Sequence, residues 1–286
     1  MIRGILYSLM STEFFLKFLK GFLAIFGAIT ALLKPLNTYF PQHIPLGLKG
    51  VISHLLISII LSLIINFPKW KFSSKISSPN CKVTVKTGDL LKEKGNLVIG
   101  VNDVFDTEIG EVIKARSLQG QFLTQIYSSN QILLDQDIDN ALKELNIVGT
   151  KDINKNRGKQ NRYPIGTTVT LGTAEQRYFL SAYSYMGNDL VAKSSLDDLW
   201  HSLNCLWQEI RIKGQGNKVS MGVLGAGLAR IPSARRDILI KLIVLSFVSS
   251  SKVEFIAEEL IIVILPSELE YINMVELQNT VKKLCY

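Results

Sequence analysis

The chain has 286 residues, of which 47% are hydrophobic, and it carries a formal net charge of +8, a composition unusually apolar for a soluble protein. Eight of the 32 basic residues but only one of the 24 acidic residues lie in the first 75 positions, so the positive charge belongs to the N-terminal segment and does not indicate nucleic-acid binding. The three cysteines lack C-x-x-C spacing and the three histidines are scattered, which fits a reducing compartment and leaves little basis for a zinc site or a histidine-centred catalytic triad.

Two apolar stretches in this segment, residues 14–33 and 46–67, each have about the 20 residues needed to cross a bilayer. Within the second, residues 51–67 contain a single ionisable residue, His54, and the stretch is followed by Trp70 between two lysines, an arrangement typical of the membrane interface. The first carries two lysines near its start, so it can begin as an amphipathic collar before it spans. We therefore predict a two-helix transmembrane hairpin over residues 1–72. A cleaved signal peptide is the alternative, but no A-x-A-like site follows the first stretch and a second stretch comes soon after it.

The flanks of the hairpin are basic at both outer ends, which by the positive-inside rule places both ends in the cytoplasm. Residues 34–47 contain three prolines and predict a short turn between the spans. The serine-rich residues 73–81 predict a linker, so that the domain after it covers residues 82–286.

Short β-rich runs alternate with helical patterns through this domain. Strands are predicted at residues 82–86, 97–101, 167–171, 178–182, 219–224 and 260–265, and helices at residues 109–118, 196–213 and 233–248. The last helix is apolar on most sides, as expected for a helix that covers a sheet. The alternation predicts a three-layer α/β/α domain, and the polar, charged residues 151–162 predict a solvated loop.

The segment "MGVLGAGLARIPSARRDILI", residues 221–240, places three glycines between an apolar run and a helix. It is not a dinucleotide fingerprint, because Arg230 stands where the third glycine is expected and only about 50 residues remain for a second nucleotide-binding half. It is not a Walker A loop either, because no Gly-Lys-Ser/Thr follows. A strand, a glycine turn, Pro232 and a helix capped by Ser233 can cradle a diphosphate with free backbone N–H groups. The alternative is a tight turn that needs small residues for packing.

The spacing of residues 224–232 resembles the diphosphate loop of macro domains, the ADP-ribose-binding family, which carries I-G-x-G-x-x-x-x-P there. Three more motifs resemble those of the family, in the same order. "VTVKTGDLL" (83–91) resembles its first strand and Gly-Asp-Ile turn, "NLVIGVND" (96–103) resembles the strand leading to its N-A-A-N motif, and "YPIGTTVTLG" (163–172) resembles its C-P-x-G-x-A-x-x-T segment. The resemblance covers roughly residues 82–269.

The resemblance implies a ligand-binding site. Asp89 stands where the aspartate of the family binds the adenine amino group, and Asn102 stands at the last asparagine of the N-A-A-N motif. Arg230, where most of the family has glycine, can reach a phosphate or, if the ligand carries histidine, its carboxylate. The implied ligand-binding residues are Asp89, Leu90, Asn102, Asp103, Val104, Gly225, Ala226, Gly227, Leu228, Ala229 and Arg230.

Two departures from the family pattern indicate binding rather than catalysis. Ile99 occupies the position of the first N-A-A-N asparagine, which catalytic members use near the distal ribose, and residues 106–110, "DTEIG", replace a G-G-G-V loop. We therefore predict no catalytic residue, no metal and no cofactor. The alternative is hydrolysis, in which Asp103, Asp106 or Glu108 activates a water molecule.

A two-span hairpin joined to such a domain resembles the membrane-anchored macro-domain effectors of Thoeris anti-phage systems, in which a TIR-domain enzyme makes a signal from NAD. The resemblance implies a sensor of an ADP-ribose derivative, histidine-ADP-ribose for this type, that disrupts the inner membrane as a homo-oligomer with its macro domain in the cytoplasm. Its implied partners are a nucleotide second messenger, membrane lipid and, functionally, the TIR-domain enzyme, but no nucleic acid. A membrane-tethered ADP-ribosyl hydrolase and a reader that recruits ADP-ribosylated proteins are the alternatives.

Overall fold

The computed structural model describes residues 2–39, 47–227, 231 and 234–286, without the side chains of residues 2 and 3. Two compact units are present. One consists of Met1–Lys69 with Leu269–Gln278, and the other consists of Trp70–Glu268 with Asn279–Tyr286. The N-terminal helices therefore form a unit with a short segment from near the C-terminus, and most of the remaining chain forms a separate α/β unit.

The N-terminal part of the first unit consists of helices α1 (Ile2–Leu9), α2 (Thr12–Tyr39) and α3 (Leu48–Asn66). α2 and α3 are long and apolar enough to cross a membrane, with mean hydropathies of 1.8 and 2.2. The two predicted spans are therefore present as helices. α2 continues through Pro35 to Tyr39, so residues 34–39 of the predicted turn are helical, and residues 40–46 lie outside the described part of the chain.

α2 and α3 pack against each other through small and polar residues. The Ser62 hydroxyl donates a hydrogen bond of 2.7 Å to the carbonyl oxygen of Phe18, and a Cβ on Gly21 would lie 2.8 Å from Ser62 Oγ. The leucines and isoleucines of α3 are mostly exposed, whereas its buried residues are Gly50, Ser58 and Ser62. Small residues between helices and apolar residues on the outside form the pattern of helices in lipid, which supports the predicted hairpin.

The second unit is built on a mixed sheet. The strands of the chain are β1 (Lys71–Ile76), β2 (Cys81–Thr87), β3 (Asn96–Asn102), β4 (Thr150–Lys151), β5 (Asn161–Arg162), β6 (Thr168–Gly172), β7 (Arg177–Met186), β8 (Ala192–Lys193), β9 (Val219–Met221) and β10 (Glu259–Ile264). The sheet order is β1-β2-β10-β9-β3-β7-β6, with β8 paired to β7, while β4 and β5 pair separately. From β2 to β7 the strands are parallel, and β1 and β6 are antiparallel to their neighbours. The carboxyl ends of five strands therefore meet at one edge of the sheet.

Helices cover both faces of the sheet. α4 (Leu118–Ile126) and α5 (Gln131–Glu144) form one buried cluster with strand residues that include Val169 and Leu171 of β6. Between these two residues, Thr170 donates a hydrogen bond of 2.7 Å to Glu209 of α6 (Leu196–Lys213). Because consecutive strand residues point to opposite faces, α6 lies on the other face from α4 and α5. The predicted three-layer α/β/α architecture is therefore confirmed.

α7 (Arg236–Val253) packs beside α6, where Trp207 meets Phe247 edge to face at 5.5 Å and its indole N–H donates to Ser246. Most apolar residues of α7 are buried, as its sequence predicts. Its predicted start and cap at Ser233 lie outside the described residues. The described residues also form the 3₁₀ helices Leu90–Lys92 and Pro266–Tyr271 and the C-terminal helix α8 (Met274–Leu284).

The serine-rich segment predicted as a linker contributes a strand to the sheet. β1 alternates exposed or half-buried polar residues with buried apolar ones, and Ser73 Oγ lies 2.7 Å from Thr84 Oγ1 on the paired strand β2. The prediction of a linker over residues 73–81 therefore does not hold for residues 73–76 or for Cys81, the first residue of β2, and the α/β unit begins at Trp70. Serines suit this strand because polar side chains can occupy the solvent-facing positions of an antiparallel edge strand.

Residues 109–118 do not form the predicted helix. Gly110 has a φ of +129°, far from helical values, and Ile109 forms an isolated β-bridge with Ile113. The helices of this region are instead α4 and α5, whose first turns are capped by the side chains of Ser117 and Asn130. We did not predict them, although a capping residue before an apolar-periodic segment is a helix-start signal.

Candidate functional site

A cavity of about 620 Å³ lies at the carboxyl ends of the parallel strands. Each of these strands contributes a lining residue at or near its carboxyl end: Asp89 after β2, Asn102 in β3, Ser184 in β7, Gly222 after β9 and Leu265 after β10. Ligands of open α/β sheets bind at this edge, because the loops that leave the strands converge there. The cavity therefore brings together distant parts of the chain at the position expected of a binding site.

Apolar side chains and positively charged side chains both line the cavity. The apolar residues include Val112, Ile113, Met186, Leu190, Val191 and Leu265. The first turn of α4 and the first residue of α7, Arg236, also line the cavity, as do Lys114 and Arg116 just before α4. Helix N-termini carry unpaired N–H groups and the positive end of the helix dipole. An extended ligand with both apolar and anionic parts suits such a cavity.

Asp89 and Leu90 both line the cavity, as the sequence suggested. Asp89 follows Gly88, whose N–H donates to the Ile264 carbonyl and so ties the end of β2 to the end of β10. One oxygen of the half-buried Asp89 carboxylate accepts the Leu91 N–H at 3.1 Å. This bond holds the side chain at the cavity, where a carboxylate can accept a hydrogen bond from a ligand amino group.

Asn102 lines the cavity, but Asp103 and Val104, the two residues that follow it, do not. The Asn102 side-chain oxygen accepts the N–H groups of Val104 and Asp106 at 3.2 and 3.1 Å, which turns the chain sharply after β3. The Asp103 carboxylate accepts the Met186 N–H at 2.8 Å and pairs with Arg162. Val104 is buried in a cluster with Val112, Ile113 and Met186, which do line the cavity. Asp103 and Val104 therefore support the cavity wall instead of forming its surface.

The two glycines of the glycine turn differ in their surroundings, since Gly225 is buried and Gly227 is exposed. Gly225 has a φ of +79°, and a Cβ there would lie 2.8 Å from Ile231 Cδ1, so a side chain at this position is excluded by both backbone conformation and packing. Ala226 and Gly227 line the cavity, whereas Gly225 does not, and a Cβ on Gly227 would meet none of the described residues within 4 Å. The predicted residues Leu228, Ala229 and Arg230, together with Pro232, lie outside the described part of the chain.

The polar cavity residues that were not predicted from the sequence include Tyr183, Arg236 and Glu268. The guanidinium of Arg236 donates to the Ala226 carbonyl and to the Glu268 carboxylate, both at 3.4 Å. Burial raises the pKa of Tyr183 to about 12, although a hydrogen bond with the backbone of Gly225 opposes this rise. Tyr183 therefore stays protonated, and its hydroxyl group contacts the backbone of Gly225 in the glycine turn. Arg236 belongs to the quoted segment 221–240, but only the fold shows that it, among the arginines described there, faces the cavity.

A sequence profile described as "Thoeris protein ThsA, Macro domain" matches residues 83–265 of the chain. The chain belongs to this family. The Thoeris protein ThsA of Bacillus amyloliquefaciens (strain Y2) is 30% identical over 188 residues, which span 62% of this chain and 61% of that protein, so the chain covers less than two thirds of the relative's length.

Solved structures of the Oceanobacillus iheyensis macrodomain are also similar to the chain. A mutant of that protein matches with 13% identity and a TM-score of 0.47, over 73% of this chain and 96% of that chain. The form with ADP matches with 14% identity and a TM-score of 0.46, over 74% and 96%. The family assignment rests on the sequence match and not on these structural similarities.

The two departures from the family pattern have clear positions in this ThsA-type macro domain. Ile99 is fully buried in the cluster beneath α4 and α5, so it presents no polar group to the cavity. Asp106, the first residue of the altered loop, is also buried, and burial raises the pKa of its carboxyl group. Its carboxylate accepts the Lys159 N–H at 2.6 Å and lies 3.7 Å from the Lys155 ammonium. Neither position offers a free general base at the cavity.

The charged loop of residues 151–162, predicted to be solvated, is anchored by buried ions in the macro domain. Lys155 is only 1% exposed and pairs with Asp106. The Arg162 guanidinium pairs with Asp103, donates 2.8 Å to Asp152, and lies 3.9 Å above the Tyr185 ring. The prediction of a solvated loop therefore holds for its exposed residues, which include Lys151, Asn154 and Arg157, but not for Lys155 and Arg162. The sequence shows only that these residues are charged, and their partners are up to 59 positions away.

Arg162→Ala is expected to destabilise the macro domain by about 3 kcal/mol, because it leaves the buried Asp103 carboxylate without its ionic partner. Thermal unfolding of the full chain in detergent, followed by fluorescence of the buried Trp207, measures the effect, and a loss of this size lowers Tm by about 6–12 °C. The control is Arg157→Ala, which breaks an exposed pair with Glu111 and should cost under about 1 kcal/mol. Equal small shifts for both variants would contradict the structural role of Arg162.

Proposed function

We propose that this protein is a membrane-anchored sensor of an ADP-ribose-derived signal in Thoeris-type anti-phage defence. The observation that carries the proposal is a cavity, in a member of the ThsA macro-domain family, that places a carboxylate and a glycine turn on the same lining. The adenine would lie against Asp89, Val263 and Leu265. The diphosphate would lie against the glycine turn and Arg236, because backbone N–H groups and a guanidinium are the donors that phosphate prefers.

The distal part of the ligand would extend from Asn102 toward the start of α4, where Lys114, Arg116 and Ser117 line the cavity. This region has both apolar surface and cations, which suits a ribose bearing a further substituent. By resemblance to the Thoeris macro-domain effectors, we propose that this substituent is histidine and that a TIR-domain enzyme makes the signal from NAD.

The response that we propose is disruption of the inner membrane by the α2–α3 hairpin, with the macro domain in the cytoplasm. Two candidate spans with outward-facing apolar residues support membrane anchoring. A ligand that favours an oligomeric arrangement of the macro domains would cluster the hairpins and raise their effective concentration in the bilayer. A sensor is favoured over a hydrolase because Ile99 is buried in the core and Asp106 is already paired.

The proposal is tested with the full chain in lipid nanodiscs and in cells. Titration calorimetry should show tight binding of histidine-ADP-ribose, and cells that produce the protein with its TIR-domain enzyme should admit a membrane-impermeant dye after phage infection. Release of ADP-ribose from a modified protein would instead identify a hydrolase. Strong binding of plain ADP-ribose without dye entry would identify a reader of ADP-ribosylated proteins.

Arg230→Ala is expected to reduce affinity for histidine-ADP-ribose by about 1.5–3 kcal/mol while leaving plain ADP-ribose nearly unchanged, the scale of one lost charge-assisted hydrogen bond to the histidine carboxylate. Titration of both ligands into the full-length variant measures this difference. The control is Arg235→Ala, because Arg235 is exposed and pairs with Asp237. Equal losses for both ligands would assign Arg230 to the diphosphate, and no loss would leave it a surface charge.

A further inference from the structure

The cavity residue Glu268 lies within a short element that continues into the unit of the N-terminal helices. The 3₁₀ helix Pro266–Tyr271 contains Glu268, which accepts a hydrogen bond from Arg236, and Leu269, which begins the segment grouped with the N-terminal helices. Consecutive Cα atoms are only about 3.8 Å apart. A displacement of the Glu268 backbone therefore moves Leu269 as well.

Within the first unit, the segment Leu269–Gln278 is packed closely against α1. The Ser8 hydroxyl oxygen accepts the Met274 N–H at 3.2 Å, and Ser8 is fully buried. A Cβ on Gly4 would lie only 2.7 Å from the Leu269 carbonyl oxygen, so the two backbones touch. Leu269, Ile272, Met274 and Leu277 are each at most 1% exposed. α1 is followed after two residues by α2, the first candidate membrane span.

We propose that residues 266–278, which we name the coupling segment, transmit the occupancy of the cavity to the N-terminal helices. The inference rests on the proposed function in that it takes the ligand to be an anionic nucleotide. A phosphate and the Glu268 carboxylate compete for the same guanidinium, and their charges repel each other. The Arg236–Glu268 bond is long, at 3.4 Å, so a diphosphate is the stronger partner. Release of Glu268 shifts the coupling segment and loosens its contacts with Gly4 and Ser8.

The first test separates binding from response in full-length protein. Ser8→Ala removes the acceptor for the Met274 N–H, and Gly4→Val inserts a side chain against the Leu269 carbonyl. Both variants should bind histidine-ADP-ribose within about twofold of the wild type, because neither Gly4 nor Ser8 lines the cavity. Ligand-triggered dye release from proteoliposomes should fall about tenfold, the scale of a typical coupling energy. The control is Leu6→Ala, an exposed position on the same helix. Wild-type dye release from both Ser8→Ala and Gly4→Val would overturn the proposal.

The second test needs no ligand and therefore distinguishes failure of the coupling from failure of the proposed function. Glu268→Gln weakens the bond to Arg236 and should accelerate hydrogen–deuterium exchange of the Met274 amide by about tenfold, because exchange reports local opening of its bond to Ser8. The control is Glu270→Gln, which alters a neighbouring carboxylate that does not line the cavity. Faster exchange in Glu268→Gln with no ligand binding by the wild type would reject the proposed function and keep the coupling. Unchanged exchange would reject the coupling segment.

Discussion

Gly227→Glu is expected to abolish binding of ADP-ribose and of histidine-ADP-ribose. Gly227 lines the cavity, and among the residues that the structure describes, none would lie within 4 Å of a Cβ at this position. A glutamate would fill that space and set a negative charge against two phosphate charges in a partly enclosed site, where charge repulsion is stronger than in water. Titration calorimetry on the full-length variant should therefore show no binding heat.

The matched control is Gly227→Ala, which adds only a methyl group to the same open position and should bind nearly normally. Asp89→Ala provides an independent probe of the adenine position and should weaken binding by about 1–3 kcal/mol, the cost of losing a hydrogen bond to a charged group. If Gly227→Glu and Asp89→Ala both retained wild-type affinity, the assignment of this cavity to the ligand would be lost.

Thr38→Cys is expected to react with a membrane-impermeant maleimide applied to intact spheroplasts, whereas Ser77→Cys should react only after permeabilisation. The basic flanks of the hairpin predict, by the positive-inside rule, that both of its ends lie in the cytoplasm, and Thr38 lies next to the last residue of α2.

The labelling experiment uses a Cys205→Ser background, because Cys205 is half-buried while Cys81 and Cys285 are buried. Labelling of both positions after permeabilisation is the control for reactivity. Labelling of Ser77→Cys but not of Thr38→Cys in intact spheroplasts would invert the topology and place the macro domain outside the cytoplasm.

The strands, the long helices and several cavity residues could be predicted because their signals are local. The β-rich run before Asp89 and the run before Asn102 each end at the cavity, and in a parallel sheet such ends meet at one edge. The glycine turn was recognisable because the positive φ of Gly225 needs a glycine. These features depend on a few consecutive residues, so tertiary contacts change them little.

The predictions that failed concern residues whose conformation or contacts depend on partners far away in the sequence. The apolar spacing of residues 109–118 suggested a helix, but Val112 and Ile113 are drawn into a cluster with Met186, and Gly110 adopts a conformation that a helix does not allow. Asp103 looked like a ligand contact, yet Arg162 engages its carboxylate. The charge of a side chain and the spacing of apolar residues do not reveal which distant element will pack against those residues.

By itself the sequence determined the apolar hairpin, the alternation of strands and helices, and the motifs that identify a macro domain, because length, hydropathy and residue spacing are properties of consecutive positions. Only the tertiary structure decided which residues reach the cavity. It placed Arg236 and Glu268 there, directed Asp103 away, and buried Lys155 beside Asp106. A side chain's role in a site depends on the elements packed around it, and those elements come together only when the sheet and its helices close around one core.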